Sequence, residues 1–171
     1  MKKILLIFAV WLFAFSANAQ FLRAELEVTG LTCSMCSLST QKSLKTLDFI
    51  EAIKPDLNKN VFYITFKEGK VVSLDAMKDK VQAAGFSVSR LTAIYRFSEP
   101  QNDAQFTYGG SLYRFLDAKS ARLNGEKRLT VMDKDFVPSK TFKKFSGGVT
   151  DPSYLSGKND KHQRVYHISL S

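Results

Sequence analysis

The first half of the chain alternates between two hydrophobic spacings, and each change of spacing marks an element of secondary structure. Apolar residues take every second position from Leu22 to Val28, with charged residues between them, which is typical of a half-buried strand. After Ser34, a suitable N-cap, the spacing becomes helical, and Gly85 follows a second helical segment at the usual C-cap position. The predicted elements are a strand at 21–28, a helix at 34–47, strands at 49–54 and 61–66, a helix at 74–84 and a strand at 86–91. This order is the ferredoxin-like βαββαβ arrangement, and Pro55 predicts that the second strand lies at a sheet edge.

The second half of the chain is predicted to be mostly β-structure. Its strand-like segments lie at 94–97, 106–108, 112–116, 129–132 and 165–170. Asn124-Gly125 is a dipeptide typical of hairpin turns, and residues 146–160 are rich in Gly, Ser, Asp and Pro, which predicts a loop. We therefore predict an α+β protein with a ferredoxin-like domain at 20–91, a linker at 92–103 and a small, mostly-β, partly open barrel-like domain at 104–171.

The chain begins with the features of a secretory signal peptide at residues 1–19. Two lysines precede an uncharged run of 12 residues, 4–15, which is short of the ~20 apolar residues that a membrane span needs. A small-x-small pattern then ends at Ala19. The sequence predicts cleavage near Ala19-Gln20 and a periplasmic or secreted protein without a further membrane span. An uncleaved anchor is the alternative interpretation.

Positive charge is unevenly distributed along the chain, which has a formal net charge of +9. Residues 20–91 carry 10 basic and 8 acidic side chains, whereas residues 92–171 carry 13 and 8. A basic surface of this size can steer acidic partners or anionic lipid headgroups, although a mixed, soluble surface is the simpler interpretation. Because an exported protein seldom meets nucleic acid, no nucleic-acid partner is predicted.

The only two cysteines, Cys33 and Cys36, stand where the first helix begins. A disulfide that closes two intervening residues constrains little chain entropy, so the pair is better suited to chemistry than to structural stabilisation. The positive end of the helix stabilises thiolates, and thiolates prefer soft ions such as Cu(I) or Zn. A closed zinc site needs four ligands, and this half contains no other Cys or His. The sequence therefore predicts that Cys33 and Cys36 bind a soft metal ion, with Cu(I) favoured.

Two segments make this interpretation more specific. The segment GLTCSMC, at 30–36, follows the first strand, and the segment MKDKVQAAGF, at 77–86, closes the second helix. With these features residues 21–91 resemble the heavy-metal-associated domain family of copper chaperones and copper-ATPase modules. The resemblance implies that Cys33 and Cys36 bind Cu(I) on an exposed loop and pass it to a partner protein, with Phe86 packed beneath the loop. Leu31 stands where many members carry Met, and it is expected to pack in the core.

The favoured function is metal delivery or homeostasis by an exported Cu(I)-binding protein with a metal-accepting partner. No catalytic residue is predicted, and the protein is not expected to be an enzyme. Two alternatives stay open: a periplasmic thiol–disulfide oxidoreductase that uses the same cysteines, and an adaptor whose metal module only docks a partner. In an oxidising compartment the two cysteines can also form a disulfide, which would block metal binding.

Three further residues are weaker candidates for metal binding. His162 and His167 are the only histidines, and with Met132 they are candidates for a second metal site. Ordinary surface or core roles are the favoured interpretation for both histidines. Met35, between the cysteines, is a candidate for a weak third ligand, but an exposed position without a metal role is favoured.

Overall fold

The computed structural model describes residues 19–116, 123–149 and 151–171. The predicted signal peptide, apart from Ala19, lies outside the described residues. The described strands and helices are β1 (Gln20–Thr29), α1 (Ser34–Lys45), β2 (Ile50–Asp56), β3 (Val61–Phe66), α2 (Leu74–Ala83), β4 (Ser87–Gln101), β5 (Gln105–Tyr108), β6 (Ser111–Phe115), β7 (Leu123–Val131), α3 (Ser139–Ser146), α4 (Ser153–Ser156) and β8 (Val165–Leu170). Within these ranges no helix combines the length and apolar character that crossing a membrane requires.

The eight described strands form one sheet in the order β2-β3-β1-β4-β7-β8-β6-β5. Only β6 and β8 pair in parallel, and the other neighbouring strands are antiparallel. β2, which contains Pro55, lies at the edge of the sheet as the proline predicted, because proline cannot donate a ladder hydrogen bond. The fold is therefore mixed α and β around one large sheet.

The β5 end of this sheet curls back toward β4. The rings of Phe106 in β5 and Tyr95 in β4 have centroids 4.6 Å apart, although three strands separate β5 from β4 in the sheet. Phe106 also stacks on Tyr113 of β6, with centroids 4.9 Å apart. The sheet does not close, because β5 pairs with β6 alone among the described strands. The curl buries these aromatic rings in the core.

Most of the predicted linker, residues 92–103, is a strand. β4 pairs with β1 on one side and continues beyond it to pair with β7 on the other. Ala93, Tyr95 and Phe97 alternate with less buried residues and are at most 3% exposed, so the strand pattern of the first half simply continues. The two halves are thus joined by a continuous strand rather than by a linker at 92–101, while the division into two domains stays a prediction.

One apolar core extends through both halves. Leu26, Leu44 and Met77 of the first half belong to the same buried cluster as Tyr113 and Phe136 of the second half. α1 contacts α2 and β2, and α2 also contacts β4. The two helices therefore cover the part of the sheet formed by the first half of the chain. The first residues of α1, Ser34 and Met35, are exposed.

Two local predictions in the second half are wrong. Asn124 and Gly125 lie inside β7 instead of in a hairpin turn. Gly125 has a φ of 61° and pairs with Phe97 just before a shift in register, so its conformational freedom serves a bulge. The predicted loop at 146–160 contains the short helix α4, which begins after Pro152, a residue whose fixed φ suits the start of a helix.

Candidate functional site

The cysteine pair lies at the N-terminus of α1. Cys33 is the N-cap, with an extended backbone, and its Sγ accepts a hydrogen bond from the backbone N–H of Cys36 at 3.2 Å. Ser34, the predicted cap, is instead the first residue of the helix. Thr40, which is fully buried, donates its hydroxyl to the carbonyl of Cys36 at 3.1 Å. Cys36 therefore belongs to a fixed first turn of the helix, while Cys33 ends the preceding loop.

Cys33 and Cys36 form a disulfide in this structure, with their Cα atoms 5.3 Å apart. The two side chains therefore point to one place. Cys33 is exposed and Cys36 is half-buried, so a partner molecule can reach the pair from solvent. Met35 is 69% exposed and Leu38 is 39% exposed, which surrounds the cysteines with accessible apolar surface.

The loop before the cysteines packs against Phe86 and against the apolar core. Gly30 has a φ of 91°, and a Cβ at this position would lie 3.3 Å from Cδ1 of Phe86. Phe86 therefore packs directly against the start of the loop, where the family resemblance placed it. Leu31 is half-buried and packs against the core, as expected for a residue that replaces Met. The first turn of α1 contains no acidic residue, so no carboxylate competes there for the positive helix end.

The candidate second metal site is not formed. His167 is fully buried, with its Nδ1 atom 2.8 Å from Oδ1 of Asp133 and its Nε2 atom 3.1 Å from Oγ of Ser153. His162 is exposed in the loop before β8, and Met132 contributes its backbone carbonyl to a tyrosine hydroxyl. The described ranges contain no group of three or more His, Cys, Asp or Glu side chains that could hold a metal ion.

The order Ser153, His167, Asp133 looks like a catalytic triad, but its hydrogen bonds favour a structural role. The hydroxyl of Ser153 donates to Oδ1 of Asp151 at 2.7 Å, and Ser153 is only 5% exposed. Asp151 in turn forms an ion pair with Arg114. Ser153 is thus held by hydrogen bonds to both Asp151 and His167 in a position nearly closed to solvent, which favours a structural role over nucleophilic attack on a substrate.

A partly buried set of charges, which the sequence pattern did not reveal, joins His167 to the second helix of the first half. Asp133, which bonds His167, has its Oδ2 atom 3.0 Å from Nη1 of Arg164. Arg164 also donates from Nε to Asp75 of α2 at 2.8 Å and lies over the ring of Tyr166 at 4.0 Å. Arg164 and Asp75 are 89 positions apart, so no local spacing could have indicated their contact.

Burial and neighbouring charges shift the pKa values of Asp75 and Arg164 in opposite directions. Burial raises the pKa of the Asp75 carboxyl, but the hydrogen bond and charge of Arg164 together with Tyr166 and Lys78 bring it below its usual value. Burial lowers the pKa of Arg164, but the hydrogen bond to Asp75 and the charges of Asp75 and Asp133 together raise it by more. The pKa of Arg164 is therefore above its usual value. Both groups are therefore charged near neutral pH.

Comparisons with known proteins place the likeness in one part of the chain. No protein-family model and no curated protein matches it. Among solved structures, the CopZ metallochaperone is 23% identical, over 39% of this chain and 97% of that chain, with a TM-score of 0.36. The yeast copper transporter domain CCC2A, solved in apo and Cu(I)-loaded states, is 25% identical over 39% and 90%, with a TM-score of 0.35. Oxidised MerP from Ralstonia metallidurans CH34 is 21% identical over 42% and 96%, with a TM-score of 0.35. Each of these three solved structures is similar to about 40% of this chain.

Proposed function

We propose that this chain is an exported carrier that binds Cu(I) between the thiolates of Cys33 and Cys36 and delivers it to a metal-accepting protein. The observation that supports this proposal is the convergence of two accessible sulfur atoms at the N-terminus of α1. A site with two soft ligands suits a monovalent soft ion, whereas a structural zinc site uses four ligands. In this proposal the protein acts by ligand exchange and is not an enzyme.

The disulfide form is the resting, metal-free state of the proposed carrier. An external dithiol reduces it by supplying two electrons and two protons, which yields the two thiols and leaves that dithiol as a disulfide. Binding of one Cu(I) ion then displaces both protons and leaves a bis-thiolate complex with a net charge of −1. The positive end of α1 stabilises this negative charge, and the N–H of Cys36 is already directed at the Cys33 sulfur.

Delivery requires that a thiolate of the partner can reach the bound ion. Cys33 lies at the surface, so a third sulfur can approach from solvent and replace one ligand at a time. Met35 and Leu38 add exposed apolar surface around the pair, which a docked partner would cover. The signal-like residues 1–19 support delivery in the periplasm or outside the cell.

A direct test replaces both cysteines. The reduced chain should bind one Cu(I) ion per molecule in a competition titration with a chromogenic Cu(I) chelator, and Cys33→Ser with Cys36→Ser should abolish this binding. Met35→Leu is the matched control, because it removes the third nearby sulfur and should leave the affinity within about threefold, since a thioether is a weaker ligand than a thiolate. Equal affinity of the parent and the double variant would overturn the proposal.

A second candidate function uses the disulfide itself. An accessible disulfide at a helix N-terminus is the arrangement of many thiol–disulfide oxidoreductases, because the helix stabilises the attacking or leaving thiolate. This candidate predicts catalytic reduction of insulin disulfides with many turnovers per molecule. Stoichiometric reaction without turnover would favour the carrier.

A further inference from the structure

A cavity of about 380 Å³ lies where α2 meets the second half of the chain. Its charged lining residues are Asp75, Lys78, Asp133, Lys134, Lys158 and Arg164. The volume is within the ~300–1,000 Å³ that is usual for sites that bind small molecules. The cavity is therefore large enough to hold a small ligand.

The lining of this cavity has a net positive charge. Four cationic side chains and two carboxylates give a net of +2. Both carboxylates are paired with Arg164, whose Nε atom lies 2.8 Å from Oδ2 of Asp75 and whose Nη1 atom lies 3.0 Å from Oδ2 of Asp133. The three lysines therefore outweigh the negative charge that remains.

The three lysines differ in their contacts. The ammonium group of Lys78 lies 3.4 Å from the carboxylate of Asp79 and 5.6 Å from the centre of the Phe136 ring, so its position is fixed by the protein. Lys134 and Lys158, in contrast, form no ion pair with another residue of the described ranges. Two ammonium groups at one cavity can thus pair with an anion that the protein does not itself supply.

Lysine chemistry favours phosphate over carboxylate as this anion. An ammonium group acts as a point charge and suits a tetrahedral phosphate, whereas the planar fork of an arginine best recognises a carboxylate. The guanidinium of this lining, that of Arg164, already donates to Asp75 from both Nε and Nη2. A phosphate monoester carries nearly two negative charges at neutral pH, which matches the net charge of the lining.

The same cavity also presents apolar surface. Leu155 lines it and is 68% exposed. Tyr154 is a second lining residue, and its hydroxyl donates to the carbonyl of Met132 at 2.8 Å. A ligand that covers Leu155 would remove an exposed apolar side chain from water, so the organic part of a phosphate ester has a favourable contact here.

We propose that this cavity, here called the α2–α4 cavity, binds a phosphate monoester. Lys134 and Lys158 would contact the phosphate group, and Leu155 would contact the organic part. This binding is independent of the metal carried at Cys33 and Cys36.

The test is an NMR titration of the isotopically labelled chain from Gln20 to Ser171 with phenyl phosphate, at an ionic strength held constant with sodium chloride. The amide signals of Lys134 and of residues 154–158 should shift with a single dissociation constant. Replacing Lys134 and Lys158 by Gln should weaken binding roughly tenfold or more, because each lysine forms a charge-assisted contact with the phosphate. Benzoate, which carries a planar carboxylate on the same ring, should bind at least about tenfold more weakly than phenyl phosphate.

Inorganic phosphate separates the two parts of the proposed site. It should bind several-fold more weakly than phenyl phosphate, because it covers no apolar surface. Leu155→Ser should remove this difference and leave the affinity for inorganic phosphate unchanged. Co-sedimentation with phosphatidic acid vesicles then identifies the source of the phosphate group. Sedimentation indicates a lipid headgroup, whereas its absence in a chain that binds phenyl phosphate indicates a soluble ester.

The matched control replaces Lys54 and Lys67 by Gln, because these two exposed lysines of the first half do not line the cavity. This variant should bind phenyl phosphate as tightly as the parent. Circular dichroism should show the same fold for both double variants, since all four lysines are exposed. Equal weakening by the two double variants would show attraction by net charge alone and overturn the proposal. Benzoate binding as tight as that of phenyl phosphate, or no binding of phenyl phosphate, would also overturn it.

Discussion

Arg164 joins a carboxylate of the first half to a buried carboxylate of the second half. It contacts Asp75 from α2, Asp133 from the segment after β7, and the ring of the neighbouring Tyr166. Asp133 is 3% exposed and also accepts from His167, so its charge depends on Arg164 for compensation. Such a buried pair is costly to break, because removal of one partner leaves the other charge out of water.

We therefore expect Arg164→Ala to lower the free energy of unfolding by about 3 kcal/mol, the usual loss when a buried ion pair is broken on one side. Arg90→Ala is the matched control, because Arg90 pairs with Glu27 at the surface, where side-chain exposures are 60% and 33%. An exposed pair of this kind contributes less than about 1 kcal/mol. Chemical denaturation of both variants measures the difference, and equal losses would show that Arg164 has no special role.

The same network predicts a dependence of stability on pH. Because the pKa of Asp75 is lower in the folded protein than in the unfolded chain, its charge stabilises the fold above about pH 4 and this contribution is lost on acidification. Asp75→Asn should therefore be less stable than the parent near neutral pH. The gap between them should narrow as the pH falls below about 4. Unfolding curves across this range test the claim, and a gap that stays constant would contradict it.

At the scale of elements, the turn between β5 and β6 packs against the loop that precedes α2. The hydroxyl of Tyr108 donates to the carbonyl of Lys70 at 3.2 Å and accepts from the N–H of Val72 at 3.1 Å. Gly109 follows, and a Cβ on it would lie 2.5 Å from Cγ1 of Val71. The second half thus contacts the first at the loop before α2, while the cysteines lie at the start of α1.

This contact can be tested with two adjacent glycines. Gly109 and Gly110 both have positive φ, but a Cβ on Gly110 meets nothing within 4 Å. Gly109→Ala should therefore cost about 1 kcal/mol more than Gly110→Ala, because Val71 must move aside. In a Val71→Ala background the two substitutions should cost the same. Thermal or chemical unfolding measures these differences, and identical costs in the parent background would contradict the packing described here.

Elements whose pattern is local could be predicted from the sequence. The alternation at 21–28 and the apolar run at 61–66 predicted β1 and β3, and α2 begins at Leu74 as its spacing indicated. The bounds of the other elements depend on pairing between strands that are distant in the sequence. Polar residues near Pro100 looked like a linker, yet β4 continues to Gln101, because β7 still pairs with it there after its pairing with β1 has ended at Arg96.

In the functional site too, residues close in the sequence could be predicted, whereas contacts between distant residues could not. Cys33 and Cys36 could be found because their chemistry depends on a spacing of three along one helix start. The contact between Asp133 and His167 joins residues 34 positions apart, and only the pairing of β7 with β8 brings them together. The sequence left His167 as a minor candidate for metal binding, with an ordinary role favoured, because the carboxylate that lies 2.8 Å from its Nδ1 atom is remote along the chain.

At the scale of the whole molecule, one sheet and one core unite the two halves. β4 belongs to both, and the aromatic contacts of Phe21 in β1 reach Tyr108 and Tyr113 in β5 and β6 at 5.0 and 5.5 Å. A structure without a weak boundary is expected to unfold as a unit.

We expect a single unfolding transition for the chain from Gln20 onward. Far-UV circular dichroism follows the strands and helices of both halves, whereas the near-UV signal of the tyrosines follows mainly the aromatic contacts between them. The two denaturation curves should coincide, because loss of the shared core removes both signals together. Separate midpoints would show two independent domains, as the sequence alone suggested.

The central claim is that Cys33 and Cys36 bind Cu(I) only as a pair of thiolates, and one measurement tests it most directly. Cu(I) affinity is determined by chelator competition, without oxygen, on one preparation divided into a reduced and an oxidised sample. The reduced sample should bind one Cu(I) ion and lose two titratable thiols in the process, and the oxidised sample should bind none. Binding of equal strength by both samples, or a reduced sample that binds no Cu(I), would contradict the account.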